Sequence, residues 1–278
     1  MMNDLLNIQG RLVSLDSPRV MGILNVTPDS FYADSRKQTE QQIADRVRQM
    51  VSEGADFIDV GACSTRPGSS PVSEAEESER LRMALSVIRA TLADVPAQSV
   101  ILSIDTFRPA IARMCVEEYG AHVINDVSEG SDEMFRAVAQ MGVPYILMSV
   151  QPDLRTTLLA FAEKVQRLRD YGQKDIILDP GFGFGKTLEQ NYQLFSEMEK
   201  LQVMELPLLV GISRKSMIYK TLCCTPDEAL NGTTFLNTVA LMKGASILRV
   251  HDVKEAVECC RLYAQLKPIN SEVKSLNS

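Results

Sequence analysis

The sequence lacks long hydrophobic runs, Cys-x-x-Cys motifs and any excess of positive charge. Its longest apolar run, "VPYILM", is far shorter than the roughly 20 residues that a membrane-spanning helix needs. The 29 Lys and Arg residues against 36 Asp and Glu give a net charge of −7, which argues against a broad surface for nucleic acid or anionic lipid. We therefore expect no nucleic-acid partner and no membrane association.

The cysteine pattern and the first residues favour a cytoplasmic protein. The six cysteines include two adjacent pairs, at 223 with 224 and at 259 with 260, whose members cannot easily bridge each other. Reduced thiols are therefore the simpler interpretation. The opening "MMNDLLNIQGRL" carries Asp4 and lacks a basic head followed by a long apolar stretch, so we expect no secretion signal.

Eight short apolar runs of strand character alternate with segments of helical period. The runs are "VMGILNV", "DFIDVG", "SVILSID", "HVINDV", "PYILMSV", "DIILDP", "PLLVGIS" and "SILRV". Helical spacing appears between them, as in the sets Ile43, Val47, Met50, Val51 and Leu158, Ala162, Val165, Leu168. Eight strand-then-helix units predict an α/β protein with a (β/α)8 TIM barrel, although a doubly wound open sheet would use the same alternation.

The chain is predicted to form one domain over residues 1–278, because no linker rich in Pro, Gly or Ser divides it. Residues 5–16 read as a β-hairpin that closes the bottom of the barrel. The barrel core should occupy about residues 18–267. The polar tail 268–278 begins with Pro268 and is expected to fray.

Polar residues follow every predicted strand, and in an α/β barrel these strand ends form the mouth where the active site lies. The general polarity of loops explains about half of them. It explains less well Asp105, Asn125, Asp179 and Lys215, which directly follow apolar residues in short turns. The first three offer acceptors and an amide suited to a flat heterocycle that carries ring N–H and amino groups.

A second group at the predicted mouth is suited to an anion. Arg249, His251, Asn25 and Arg66 offer donors for phosphate or pyrophosphate, and the Arg side chains are forked in the geometry that phosphate accepts. The sequence therefore predicts a ring pocket beside an anion pocket, in a protein that is acidic as a whole.

The stretch "DPGFGFGKT", residues 179–187, looks like a nucleotide-binding loop but fits neither known spacing. A P-loop would need glycine where Pro180 stands, and the dinucleotide fingerprint would need glycine where Lys186 stands. The glycines instead allow a sharp turn after Asp179. They leave Phe184 free to line a slot for an aromatic partner, while Phe182 is expected to close the top of the barrel.

Seven motifs in order resemble the dihydropteroate synthase family of pterin-binding barrels, from about Met21 to Val253. They are "MGILNVTPDSF", "GADFIDVGACSTRPGS", "SIDT", "INDV", "ILDPGFGFGKT", "LLVGISRKS" and "RVHDV". The resemblance implies an enzyme of folate biosynthesis, and a target of sulfonamides. Its reaction condenses 6-hydroxymethyl-7,8-dihydropterin pyrophosphate with 4-aminobenzoate to give 7,8-dihydropteroate and pyrophosphate.

The resemblance also implies roles for individual residues and a homodimer that packs through outer helices late in the chain. The implied pterin pocket consists of Asp105, Asn125, Asp179 and Lys215. The implied pyrophosphate site consists of Asn25, Arg249 and His251, and Asn25 also helps to hold Mg²⁺. The 4-aminobenzoate would be framed by Thr65, Arg66, Pro67, Phe184 and Ser216, with the Ser216 hydroxyl and a helix N-terminus receiving its carboxylate. The implied catalytic residues are Lys215, Arg249 and Asp179.

The chain departs from the family pattern at three places. Ser149 stands where relatives carry histidine, and we assign it no role. Asp34 is displaced by one position from the loop aspartate of the family. Cys63 replaces a glutamate, either as a packed small side chain, which burial preferences favour, or as a thiol that faces the site. The pterin and anion residues are intact, so we expect activity with altered loop closure.

Two other functions are compatible with the sequence. A pterin-dependent methyltransferase would keep the ring pocket without a pyrophosphate site, and Arg249, His251 and "SRKS" weigh against it. A catalytically silent pterin-binding protein would explain the altered loops, and the intact Asn25, Arg249 and Lys215 argue against it.

Overall fold

Eight parallel strands preceded by a hairpin form the frame of the protein in a computed structural model, which describes residues 5–26, 36–63, 72–93 and 100–275. The hairpin pairs β1 (Leu5–Ile8) with β2 (Arg11–Ser14). The parallel strands are β3 (Arg19–Asn25), β4 (Phe57–Gly61), β5 (Ile101–Asp105), β6 (Val123–Asp126), β7 (Tyr145–Met148), β8 (Ile176–Asp179), β9 (Leu209–Val210) and β10 (Ile247–Val250). Seven of the predicted apolar runs each contain a whole strand, and β3 begins one residue before its run.

The parallel strands follow one another around a barrel. The hydrogen-bonded order is β8-β7-β6-β5-β4-β3-β10-β9. A parallel bridge between Leu178 and Leu208 joins the two ends of this sheet, and Leu178 N donates to Pro207 O at 2.9 Å. The predicted TIM barrel is therefore confirmed against the open doubly wound sheet.

Helices cover the outside of the barrel. They are α1 (Arg36–Glu53), α2 (Glu74–Leu92), α3 (Pro109–Tyr119), α4 (Asp132–Met141), α5 (Leu154–Asp170), α6 (Leu188–Ser196), α7 (Ser216–Tyr219), α8 (Leu230–Met242) and α9 (Val253–Ser275), with a 3-10 helix at Met198–Met204. On α5 the buried face contains Thr157, Phe161, Val165 and Leu168, whereas Ala162 is exposed. The larger aromatic ring takes the core position that the sequence pattern gave to alanine.

The hairpin closes the bottom of the barrel, as the sequence predicts. The buried hairpin residues Leu6, Ile8 and Val13 form one apolar cluster with side chains at the lower ends of the strands. The strand residues of this cluster are Met21, Phe57, Ile101, Val123, Ile146, Ile177, Leu209 and Ile247. Closure of this end leaves the carboxyl ends of the strands as the open mouth.

The last helix extends past the expected end of the core. α9 continues to Ser275, beyond Lys267, where the core was expected to end, and the expected fraying of residues 268–278 stays a prediction. The predicted domain boundary itself stays a prediction. Among the described residues, no helix is long and apolar enough to cross a membrane.

Candidate active site

An arginine reaches across the barrel mouth into a pair of buried acids. Arg249, on β10, donates from Nε to Asp59 Oδ2 at 2.6 Å and from Nη2 to Asp105 Oδ2 at 2.8 Å. Asp59 and Asp105 are 0% and 8% exposed. Burial raises the pKa of Asp105 to about 7, against the opposing pull of the Arg249 guanidinium. The cluster therefore holds an acid that changes charge near neutral pH.

Asp59 is the site residue that the sequence analysis missed. It lies inside β4 rather than at a strand end, and its Oδ1 accepts from Ser103 Oγ at 2.6 Å. Its Oδ2 accepts from Asn125 Nδ2 at 2.9 Å as well as from Arg249. The sequence does contain a signal for this residue, a single Asp within the apolar strand "FIDVG". A fully buried carboxylate requires charged or hydrogen-bonding partners, so an Asp at such a position indicates a polar cluster.

Asn125 presents an acceptor to the barrel mouth. Its Nδ2 is used by Asp59, and its buried Oδ1 has no hydrogen-bond partner among the described residues. A buried carbonyl without a donor is costly, so this oxygen is suited to an N–H group of a ligand. The bond to Asp59 fixes which end of the amide faces the mouth.

Asp179 and Lys215 lie on the other side of the same mouth. Asp179 ends β8, is 5% exposed, and accepts from Gly181 N at 2.8 Å. Burial raises its pKa, and the charge of Lys215 opposes that shift. Burial lowers the pKa of Lys215 to about 8, whereas Asp179 opposes the change. The lysine Nζ donates to the carbonyl of Phe182 and lies 4.5 Å from the centre of the Phe184 ring.

The glycine-rich stretch after Asp179 folds around a lysine and not around a phosphate. Lys186 Nζ donates to the carbonyl oxygens of Ser149, Gly181 and Phe184 at 3.1, 3.1 and 3.3 Å. Gly181 has φ +67°, and a Cβ there would collide with the Ser149 carbonyl oxygen. The failed P-loop spacing is thus explained, because the lysine is committed to the backbone of its own turn.

The two phenylalanines of this stretch differ in burial, as predicted. Phe182 is fully buried and packs edge-to-face on Phe195, with ring centroids 5.3 Å apart. Phe184 is half-buried beside Lys215 and so lines the mouth.

The residues expected to bind pyrophosphate are spread over the mouth. Asn25 is exposed at the end of β3. His251 follows β10, and both its backbone N and its Nδ1 lie 3.1 Å from Ser213 Oγ. Arg249 is bound to the acids of the ring pocket. The anion-binding roles of Asn25, Arg249 and His251 therefore stay predictions.

The residues expected around 4-aminobenzoate are only partly described. Thr65, Arg66 and Pro67 lie outside the described residues, as does Asp34. Ser216 is half-buried and begins α7, which has 4 residues. Such a short helix has little dipole, so the helix contribution predicted for the carboxylate is small and the hydroxyl is the main feature there.

Ser149 and Cys63, which depart from the family pattern, each contact a basic side chain. Ser149 is 1% exposed, and its carbonyl accepts from Lys186. Cys63 is half-exposed, with Sγ 3.6 Å from Arg108 Nη1. Burial and the nearby charge of Glu77 raise the pKa of Cys63 to about 11, so the thiol stays protonated at neutral pH and is a poor nucleophile.

Comparison with known proteins places this mouth in a family. The family described as pterin binding enzyme matches residues 21–251. The dihydropteroate synthase of Escherichia coli strain K12 is 41% identical over 273 residues, which cover 91% of this chain and 93% of the relative. The chain belongs to the dihydropteroate synthase family.

Solved dihydropteroate synthases share its fold. The enzyme of Xanthomonas albilineans with 4-aminobenzoic acid has a TM-score of 0.86 at 33% identity, with 95% of this chain and 98% of that one covered. The Yersinia pestis enzyme in a sulfonamide drug complex has a TM-score of 0.84 at 38% identity, with 95% and 99% covered. The fold and the family expected from the sequence motifs are thus confirmed.

Proposed function

We infer that this chain is a transferase that joins 6-hydroxymethyl-7,8-dihydropterin pyrophosphate to 4-aminobenzoate, forming 7,8-dihydropteroate and pyrophosphate. Its 41% identical relative in Escherichia coli is a dihydropteroate synthase. The observation that carries the inference is the convergence of Asp105, Asn125 and Asp179 with Arg249 and Lys215 at one barrel mouth.

The ring pocket matches the donors of a pterin. The N–H and amino groups of the ring need acceptors. Asp105 and Asp179 supply them, together with the Asn125 Oδ1, which has no hydrogen-bond partner in the described part of the chain. Lys215 adds a donor for a ring oxygen or nitrogen, and its ammonium lies against the Phe184 ring. Hydrogen bonds from the ring to these acceptors are stronger in a buried site than the same bonds are in water.

Electrostatics would drive the reaction. Pyrophosphate leaves a carbon attached to an electron-rich ring, so positive charge grows on the pterin and negative charge on the departing oxygens. Asp105 and Asp179 stabilise the ring, while Arg249 and His251 receive the anion. For this, Arg249 Nη2 exchanges its 2.8 Å bond to Asp105 for a phosphate oxygen. The aromatic amine is already nucleophilic and needs no dedicated base.

Magnesium fits this site as an ion that arrives with the pyrophosphate. Within the described part of the chain, no group of three or more His, Cys, Asp or Glu residues could hold a metal. Asn25 offers an exposed amide at the mouth, and Mg²⁺ commonly binds one or two protein groups together with substrate phosphates and water. Asn25 would hold the ion, which when bound neutralises charge on the leaving group.

The second substrate would lie beyond the pterin. The half-buried ring of Phe184 and the hydroxyl of Ser216 border the mouth next to Lys215. The ring offers a face for the benzene ring of 4-aminobenzoate, and the hydroxyl offers a donor for its carboxylate. Thr65, Arg66 and Pro67 complete this proposed subsite.

The outer surface supports the expected homodimer. α8 and α9 pack side by side, and they carry Phe235, Met242, Leu262 and Leu266 with 66%, 68%, 70% and 53% exposure. Large apolar side chains on neighbouring outer helices favour a subunit contact. We expect light scattering to give a dimer and Phe235→Glu to give a monomer; a monomeric unsubstituted protein would contradict this contact.

The cytoplasmic location stays a prediction, consistent with the free cysteines.

Pyrophosphate release tests the function. We expect release that requires both the pterin pyrophosphate and 4-aminobenzoate, with 7,8-dihydropteroate as the other product. A methyltransferase or a silent pterin-binding protein gives no release. Binding of the pterin without release would therefore overturn the proposed synthase in favour of the silent binder.

A further inference from the structure

The ammonium of Lys186 ties the glycine-rich turn to the end of a neighbouring strand, outside the residues assigned to the substrates. It donates to the carbonyl oxygens of Gly181 and Phe184 in its own turn and to that of Ser149, directly after β7. The Gly181 oxygen also accepts from Phe184 N at 3.1 Å, and Gly181 N donates to Asp179 at 2.8 Å. The backbone of Phe184 is therefore held to the ends of β7 and β8 through one side chain.

An ammonium is suited to this position because it carries three donors on one nitrogen. Its three acceptors lie 3.1, 3.1 and 3.3 Å from Lys186 Nζ, so each donor has a partner. Gly181, Gly183 and Gly185 have no side chains, and alternate positions of the turn therefore cannot be held by packing. The turn depends on hydrogen bonds for its shape, and Lys186 makes three of them.

The ring of Phe184 is the part of this turn that borders the mouth. It is half-buried, and its centre lies 4.5 Å from Lys215 Nζ. Phe182 is locked against the ring of Phe195, whereas Phe184 packs on no other ring in the described part of the chain. The position of the Phe184 ring therefore follows from its backbone, which Lys186 holds.

We propose that Lys186 is a positioning residue for 4-aminobenzoate: it holds the backbone of Phe184 so that the ring stays against the second substrate. This deepens the proposed function and rests on it, because Phe184 is assigned there to that substrate. The pterin depends on Lys186 less. Lys215 opposes the raised pKa of Asp179 more strongly than Lys186 does, so the acid keeps its main cation without Lys186.

Kinetics of Lys186→Met and Lys186→Gln test the proposal. We expect Lys186→Met to raise KM for 4-aminobenzoate by about fivefold to tenfold, the upper range for one lost aromatic contact, with KM for the pterin substrate changed less than about twofold. Lys186→Gln keeps two N–H donors and should show the same split with a smaller increase, also if the Met variant does not fold. Equal increases in both KM values, or none, would overturn the role.

Lys243→Met is the matched control. Lys243 also donates to a backbone carbonyl, that of Ser196 at 2.7 Å, and pairs with Glu199, but it lies at the end of α8 on the outside of the barrel. The substitution removes the same charge and also frees a carbonyl oxygen. We expect its KM values to match those of the unsubstituted protein. A 4-aminobenzoate effect as large as that of Lys186→Met would overturn the proposal.

A double-mutant cycle with Phe184→Ala shows whether Lys186 acts through the ring. Once the ring is removed, no side chain remains for Lys186 to position. The double variant should therefore raise KM for 4-aminobenzoate no further than Phe184→Ala alone. Effects that multiply in the double variant would mean that Lys186 acts independently of Phe184, and they would overturn the proposal.

Hydrogen exchange separates this inference from the proposed function. Peptides covering residues 180–187 should exchange faster in Lys186→Met than in Lys243→Met, because the turn loses the three bonds that hold it. If the unsubstituted protein releases no pyrophosphate, the synthase function fails, yet the exchange still decides whether Lys186 holds the turn. Unchanged exchange in Lys186→Met would overturn its role.

Discussion

Replacing Asp59 with asparagine should change the acidity of Asp105. Asp59 Oδ1 accepts from Ser103 Oγ, and a serine hydroxyl can rotate to accept from the new amide instead. The remaining amide oxygen then stays facing Arg249 and Asn125. The shape of the cluster is kept, and the main loss is one buried negative charge.

The size of the effect follows from the contacts of Arg249. Among the described residues, the guanidinium pairs with two carboxylates, and Asp105 is the one that remains after Asp59→Asn. Exchanging a charged acceptor for a neutral one costs about 1 kcal/mol of folding free energy, the difference between a charged and a neutral hydrogen bond. The charge of Asp59 also raises the pKa of Asp105. Its removal should therefore lower that pKa.

The assay is the pH dependence of 7,8-dihydropteroate binding measured by calorimetry. Asp105 is a stronger acceptor of ring donors when it is ionised, so affinity should fall as pH drops through its pKa, which is about 7 in the unsubstituted protein. In Asp59→Asn the midpoint should move to lower pH. Asp56→Asn is the control: Asp56 pairs with Arg19 at the bottom of the barrel and is 28% exposed. A midpoint that stays fixed or rises in Asp59→Asn would refute the reasoning.

Three further predictions concern the leaving group, the second substrate and the glycine turn. Arg249→Ala should weaken binding of pyrophosphate more than binding of free pterin, and equal weakening in calorimetry would count against an anion role. Ser216→Ala should raise KM for 4-aminobenzoate severalfold and leave KM for the pterin substrate nearly unchanged; the reverse pattern would remove Ser216 from that subsite. Gly181→Ala should lower the free energy of unfolding in urea by more than about 2 kcal/mol, because its Cβ would meet the Ser149 carbonyl oxygen. The control Gly172→Ala, at φ +90°, places a Cβ with nothing within 4 Å and should lower it by about 1 kcal/mol. Equal losses in the two variants would contradict the collision.

The barrel could be predicted because its strands are buried on both faces. Such strands appear as short continuous apolar runs, and seven of the eight parallel strands fall wholly within the predicted ones, while β3 begins one residue early. The buried face of α5 could not be assigned as well. Phe161 and Ala162 are adjacent apolar residues, and only the packing shows that the phenylalanine lies in the core.

The sequence located the polar residues near strand ends but missed the one inside a strand, and the functional roles of all of them stay predictions. Asp105 and Asp179 are the last residues of β5 and β8, and Asn125 is the next-to-last residue of β6. Asp59 was missed because a mid-strand position usually serves the core. The partners of Arg249 were also unpredictable, since its long side chain reaches from β10 to acids on β4 and β5. Such contacts depend on three-dimensional distances that no local pattern encodes.

The central claim is that one barrel mouth grips a pterin with buried acceptors while cations beside it receive the pyrophosphate. A crystal structure of the protein with 7,8-dihydropteroate tests this most directly. We predict that N–H and amino groups of the ring lie within hydrogen-bond distance of Asn125 Oδ1, Asp105 and Asp179. A pterin bound away from Asn125, with that carbonyl still lacking a donor, would contradict the account.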